Sequence, residues 1–216
     1  MTDRFRCTSC DAIYPIQEDI LLCRHCGSVL DIEVDLAAAS QLRKSNFRNR
    51  PADLWRYREF FPLVRPENIV SLGEGQTSIL KAGNLAETIG LEKLYLKLDF
   101  LNPTGSFKDR GSTVLVSRVK ELGIRSVADD SSGNAASSIS AYCAKAGIKC
   151  TIYVPASAPE GKLTQISMYG AHLVKVLGSR SEVSRTIEAL WRSNSIYYAS
   201  HNLSPFFLEG MKSLSC

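Results

Sequence analysis

Leu101-Asn102-Pro103-Thr104-Gly105-Ser106-Phe107-Lys108-Asp109-Arg110-Gly111 separates two kinds of hydrophobic spacing. Before it, Leu94, Leu96 and Leu98 alternate with Tyr95, Lys97 and Asp99, the period-two pattern of a half-buried strand. Asn102-Pro103-Thr104-Gly105 is a turn-forming cluster that ends the strand. From Ser106 onward, Val114, Leu115, Val119 and Leu122 fall at helical spacings until Gly123 supplies a stop, which predicts a helix. Lys108 is thereby placed in a helical first turn.

The alternation continues downstream. A strand over Ser126 to Asp130 leads into a helix through Tyr142, Cys143 and Ala146 to Gly147. A strand at Cys150 to Val154, a helix from Glu160, a strand at Leu173 to Leu177, a helix at Ser181 to Ser193 and a strand at Ile196 to Ala199 follow. This order predicts an α/β fold, a parallel sheet with helices on both faces. Ligands of such sheets bind beyond the strand carboxyl ends, where the turns carrying Lys108 and Asn134 are both expected. Cys143 and Cys150 read as small buried hydrophobes.

Lysine is an unusual choice for a helix start, because the unpaired N–H groups there carry partial positive charge. Such surroundings favour a neutral amine, which can attack a carbonyl and form a Schiff base. The alternative is a solvated helix lysine. A P-loop is excluded, since Gly-Lys-Ser/Thr is absent. A second segment, Ser131-Ser132-Gly133-Asn134-Ala135-Ala136-Ser137-Ser138, crowds small residues and hydroxyls into a strand-to-helix turn. Backbone N–H groups there can hold an anion, and Asn134 offers both a donor and an acceptor, although an ordinary helix cap would need the same residues.

At the N-terminus, Cys7-x2-Cys10 and Cys23-x2-Cys26 flank a strand-like Ile13-Tyr14-Pro15-Ile16 and a turn. That is zinc-ribbon spacing, with each pair of thiolates aimed at one tetrahedral ion. Disulfides are the competing reading; the lack of a signal peptide favours a reducing cytoplasmic setting and a closed, structural Zn site. His25, between two of the ligands, is expected to be exposed. Ribbons also occur in nucleic-acid proteins, but a net charge of only +4 and a short basic stretch, Arg43, Lys44, Arg48 and Arg50, argue against a nucleic-acid partner. No apolar run approaches a membrane span, so no membrane partner is expected. The expected organisation is a zinc ribbon over 1–35, a charged, Pro-punctuated connector over 36–70 and a main domain over 71–216.

Asn102 to Gly111 resembles the cofactor-lysine motif of the fold-type II pyridoxal phosphate (PLP) enzymes, most closely the threonine synthase family. Ser131 to Ser138, Ser71-Leu72-Gly73-Glu74-Gly75-Gln76-Thr77, Trp55-Arg56-Tyr57-Arg58, Tyr153-Val154-Pro155, Lys162-Leu163-Thr164-Gln165, Tyr169-Gly170-Ala171 and Ser204-Pro205-Phe206-Phe207-Leu208-Glu209-Gly210 are similar to that family in the same order. The resemblance covers roughly residues 50 to 216. It implies a sheet of the tryptophan synthase β-like kind with Lys108 holding PLP. Phe107 would pack near the ring, and Asn134 would bond the ring hydroxyl with Ser132 and Gly133 beside it. It further implies a lyase in amino-acid biosynthesis that converts O-phospho-L-homoserine and water to L-threonine and phosphate, with a small amino-acid substrate and a homodimeric state. Many family members also carry an N-terminal ribbon.

Two features depart from the family pattern. Ala135 stands where many threonine synthases have threonine, and Met211 and Ser213 replace the usual residues of the Gly-x-Lys-Thr segment. The family's Gly-rich phosphate loop lies beyond the last residue here, so an incomplete chain with poor cofactor affinity and low or no activity is expected. Asp109 and Arg110 are expected to pair with each other or with neighbouring turns. The alternatives are another fold-type II lyase or synthase, such as a threonine/serine dehydratase or a cysteate synthase, and a non-catalytic zinc-ribbon scaffold.

Overall fold

A computed structural model describes residues 3–37, 39–62 and 64–215 of the 216-residue chain. Residues 1 and 2 of the expected ribbon, 38 and 63 of the connector and 216 of the main domain lie outside the described residues. Strands β1 (Arg4–Cys7), β2 (Ile13–Pro15) and β3 (Leu30–Glu33) form an antiparallel sheet in the order β2-β1-β3. Alternation along β1 and β3 turns Phe5, Cys7, Leu30 and Ile32 inward. Between 39 and 68 the described residues include four short 3₁₀ segments, and Leu54, Trp55, Phe61 and Val64 from this stretch, with Val70 just beyond it, are buried. Trp55 Nε1 donates to the Thr113 hydroxyl at 2.8 Å, and the Val70 N–H donates to the Ser117 hydroxyl at 2.8 Å.

Strands β4 (Ile79–Lys81) and β5 (Tyr95–Lys97) pair antiparallel across helix α1 (Gly83–Thr88). This corrects the expectation that the strand before Lys108 joins the parallel sheet. Alternation signals a strand but not its partner, and here β4 takes the hydrogen bonds. The half-burial is also weaker than the pattern implied, with Tyr95 57% and Leu96 37% exposed. A 3₁₀ turn, Asp99–Leu101, separates β5 from the Lys108 turn, which therefore does not sit at a carboxyl end of the parallel sheet.

Helix α2 (Lys108–Glu121) is buried along most of its length. After it come β6 (Ser126–Asp129), α3 (Asn134–Ala146), β7 (Lys149–Pro155), α4 (Glu160–Met168), β8 (His172–Val176) and α5 (Arg180–Arg192). The sheet is parallel, in the order β6-β7-β8. Cys150, Ile152 and Val154 of β7 face the main core with Ile139 and Tyr142 of α3. Tyr153 packs on the other face with Ile187 and Trp191 of α5, so helices cover both sides. The expected strand at Ile196 to Ala199 is only a single parallel bridge, Ala128 to Tyr198. The Ala128 N–H donates to Tyr197 O and the Ala199 N–H to Ala128 O; the chain then turns at Ser200, whose hydroxyl accepts from the Asn202 and Leu203 N–H groups.

Helix α6 (Pro205–Met211) crosses α2 at very short range. A Cβ on Gly111 would lie 2.6 Å from the Phe207 ring, and one on Gly210 would overlap the Arg110 carbonyl oxygen. One continuous core joins Phe5 and Ile32 of the N-terminal sheet to α2, α3, β7 and Phe206 and Phe207 of α6. Among the described residues, no helix is long and apolar enough to cross a membrane.

Candidate functional site

Lys108 is the first residue of α2 and is half-buried. Its Nζ lies 4.9 Å from the ring centre of Phe107 and 5.5 Å from that of Phe207. Phe107 is 40% exposed, whereas Phe207, on α6, is buried. Asp109, fully buried, ties the preceding turn to the helix by accepting from the Thr104 N–H at 2.7 Å and its hydroxyl at 2.6 Å. It also accepts from the Ser138 hydroxyl of α3 at 2.6 Å. Arg110 is buried as well and grips Asp99 with Nε and Nη2, both at 2.8 Å. Burial pushes the Asp99 carboxyl up, but the bonds from Arg110 and Thr77 outweigh it and hold it below the usual carboxylate range. Arg110 also donates to Ser213 of the segment after α6. Asp109 and Arg110 thus pair with surrounding turns rather than with each other.

The Ser131-to-Asn134 turn follows β6. Asp129 accepts from the Ser131 N–H at 3.3 Å, and the Ser131 hydroxyl accepts from the Gly133 N–H at 3.2 Å. Helix α3 opens after Gly133 with no side-chain cap, which leaves first-turn N–H groups for a ligand. Ser132 and Gly133 are half-buried and Asn134 is exposed. Because Ser138, one turn into α3, bonds to Asp109, the openings of α2 and α3 lie close together. Convergence of the two motifs is therefore made by helix packing, not by neighbouring strand ends.

Sequence reasoning assigned no position to Phe207 or His201. His201 Nδ1 lies 3.4 Å from Asp129, and its ring stands edge-on to Phe207 at 6.1 Å. The only signal for Phe207 was its place in a segment similar to the family's; nothing local marked His201. Asp129, Asp130 and His201 lie close enough to share an ion. The Asp130 oxygens are already engaged by Tyr198 at 3.0 Å, Ser184 at 2.7 Å and Arg180 at 3.2 Å, which makes this a hydrogen-bonded network.

Gly73-Glu74-Gly75, the one G-x-G of the chain, is not an anion cradle. Glu74 is fully buried, with Oε2 accepting from Tyr142 at 2.7 Å and from the Leu72 N–H at 2.9 Å, while Oε1 has no hydrogen-bond partner among the described residues. Burial raises its carboxyl above the usual range. A Cβ on Gly75 would meet the Leu54 backbone at 3.0 Å.

The sulfurs of Cys7, Cys10, Cys23 and Cys26 all lie within 4.8 Å of one another. Cys7 and Cys26 are 3.4 Å apart and Cys10 and Cys23 3.6 Å, near the spacing of about 3.8 Å expected for thiolates around tetrahedral zinc. The Ser9 and Cys10 N–H groups donate to the Cys7 sulfur. The Tyr14 hydroxyl brings the Cys23 thiol down to about 6. This set fits a closed metal centre, and His25 points outward as expected.

A lysine opening one helix beside the uncapped start of another, over a parallel sheet, suits an enzyme that works through a carbonyl cofactor. Residues 70–216 match the pyridoxal-phosphate dependent enzyme family, and the chain belongs to it. Among its relatives is the threonine synthase of Methanocaldococcus jannaschii, 37% identical over 212 residues, a match covering 97% of this chain and 52% of that protein. The threonine synthase of Methanosarcina acetivorans is 35% identical over 210 residues, covering 97% and 51%. The chain spans about half the length of these curated relatives. Among solved structures, a pyridoxal 5'-phosphate-dependent aspartate racemase superposes with a TM-score of 0.57 at 28% identity, over 62% of this chain and 42% of that one. Serine racemase from Dictyostelium discoideum gives 0.55 at 28%, over 62% and 44%. The fold is that of the fold-type II enzymes.

The residues present fit one end of the cofactor. An amine flanked by two aromatic rings and a helix start with free donors suit an aldehyde-bearing aromatic ring.

Proposed function

We propose that the chain is the cofactor-lysine part of a PLP-dependent threonine synthase-like lyase, which converts O-phospho-L-homoserine and water to L-threonine and phosphate. The observation that carries the reading is the placement of the Lys108 amine at the opening of α2, against the rings of Phe107 and Phe207 and beside the opening of α3. Lys108 Nζ would hold the cofactor covalently and then move protons at the substrate carbons. Asn134 would bond the ring hydroxyl, with Ser132 and Gly133 giving the ligand close backbone approach, and Phe107 would pack on the ring and exclude water. When bound, PLP supplies an electron sink for carbanion charge. The cysteine set would hold a structural zinc ion in a ribbon over 1–35, with 36–70 as connector and 71–216 as the start of the catalytic domain. The reading implies a cytoplasmic enzyme that acts on a small amino acid, with a homodimer as its assembly.

Titration of the purified chain with PLP, borohydride trapping and peptide mass mapping test this. A stoichiometric adduct on Lys108 that disappears in Lys108→Ala is expected. Labelling scattered over exposed lysines would count against a pocket formed by this chain.

A further inference from the structure

Helix α6 is wedged between the N-terminal sheet that carries Cys7 and α2, and its two consecutive phenylalanines face opposite partners. Phe206 takes the ring of Phe5 edge-on, with centroids 5.7 Å apart at 87°. Phe5 lies on β1, two residues before Cys7. The Arg118 guanidinium lies 5.3 Å from the Phe206 ring on another side. Arg118 in turn donates to Ile16 O at 2.7 Å, just beyond β2, and to Glu121 at 2.8 Å. Phe207 turns the other way, lying against Gly111, His201 and the Lys108 amine. From the cysteine set to the lysine amine, the route is therefore β1, Phe5, Phe206, Phe207 and Lys108. Both phenylalanines are buried at the start of α6, and the packing of Gly210 on Arg110 pins the other end of that helix to α2.

We propose that the metal-clamped N-terminal sheet positions Lys108, and that Phe206 is the positioning residue through which it acts. Four thiolates around one ion hold β1 and the Cys23-to-Cys26 turn in fixed relation. Without the ion, the β-ladders, the buried faces of Phe5, Leu30 and Ile32 and the Arg118 bond to Ile16 O remain, but the Cys23-to-Cys26 turn is no longer tied to β1 through sulfur. Loosening the sheet removes the support behind Phe206, lets the Phe206–Phe207 end of α6 tilt about the Gly210 contact, and withdraws the Phe207 ring from Lys108. The amine then loses an aromatic face and its cover from solvent together. The link to turnover rests on Lys108 being the cofactor lysine; the mechanical coupling does not.

Acetylation kinetics of the full chain, read peptide by peptide, test the coupling without cofactor. The quantity is the rate at Lys108 relative to Lys145, which sits in the last turn of α3. Zinc-loaded chain, chain stripped with a chelator, stripped chain given zinc again, and zinc-loaded Phe206→Leu and Phe206→Ala are compared, with amide exchange of residues 205–211 followed in parallel. The ratio is expected to rise about threefold on stripping and in Phe206→Ala, from loss of one cation–aromatic contact. Zinc should restore the stripped chain, and Phe206→Leu should fall between. A ratio unchanged in the stripped chain and in both variants, with exchange rising only in residues 3–34, overturns the proposal. Should stripping unfold the whole chain, the zinc-loaded variants alone decide. Failure to trap PLP on Lys108 of the zinc-loaded chain would defeat the proposed function and leave this result standing.

Discussion

Glu74 holds a fully buried carboxyl group in the middle of the fold, satisfied on one oxygen and without a hydrogen-bond partner among the described residues on the other. Burial raises its folded-state value above the ordinary 4.5, so between the two values the folded chain binds more protons than the unfolded one. Its contribution to stability is full below 4.5 and is lost as pH rises through the folded value. Glu74→Gln, which carries no titrating proton, is therefore expected to flatten the decline in urea midpoint as pH rises above 4.5. A variant with the same slope as the parent chain would show that Glu74 is ionised in the folded protein. Sequence marked Glu74 only as part of the Ser71-to-Thr77 segment, since its partner Tyr142 lies sixty-eight positions away. Lys108 was legible for the opposite reason: its turn residues, its helical neighbours and its place at the helix start are all local.

At the scale of elements, the crossing of α2 and α6 depends on two glycines that meet each other's helix. Gly210→Ala forces a Cβ into the Arg110 carbonyl and is expected to cost about 3 kcal/mol or more, because close-packed backbone cannot yield. Gly161→Ala in α4 meets nothing within 4 Å and should be neutral or stabilising by about 0.5–1 kcal/mol. Urea unfolding of the two variants side by side tests this, and equal effects would mean that α6 does not dock on α2 in solution. Helices α2 to α5 were legible from their periodicity, which a core-facing surface element must display. The partner of β5 and the shortness of the 196–199 strand were not. Hydrogen-bond partners and edge pairing are long-range choices that leave no periodic trace.

The molecule as a whole leaves apolar side chains uncovered around β4, α1 and β5, where Ile79, Leu80, Ile89, Tyr95 and Phe100 are 65%, 53%, 55%, 57% and 64% exposed. Clustering of this kind marks a surface that meets another protein surface. The isolated chain is expected to self-associate, with a molar mass by light scattering that rises along a concentration series and falls back in the double variant Ile79→Lys, Phe100→Lys. A constant monomer mass would show that this face tolerates water. The sequence alone determined the α/β class, the lysine and its helix, the strand-to-helix turn at Asn134 and the four cysteines, because each is written within a few residues by spacing or turn chemistry. Only the tertiary structure decided that Phe207 lies against Lys108 with His201 behind it, that Gly73 and Gly75 flank a buried acid, and that the cysteine-bearing sheet shares one core with the lysine helix. Those outcomes depend on which surfaces pack across distant parts of the chain, and close packing is a property of the whole assembled volume rather than of any segment.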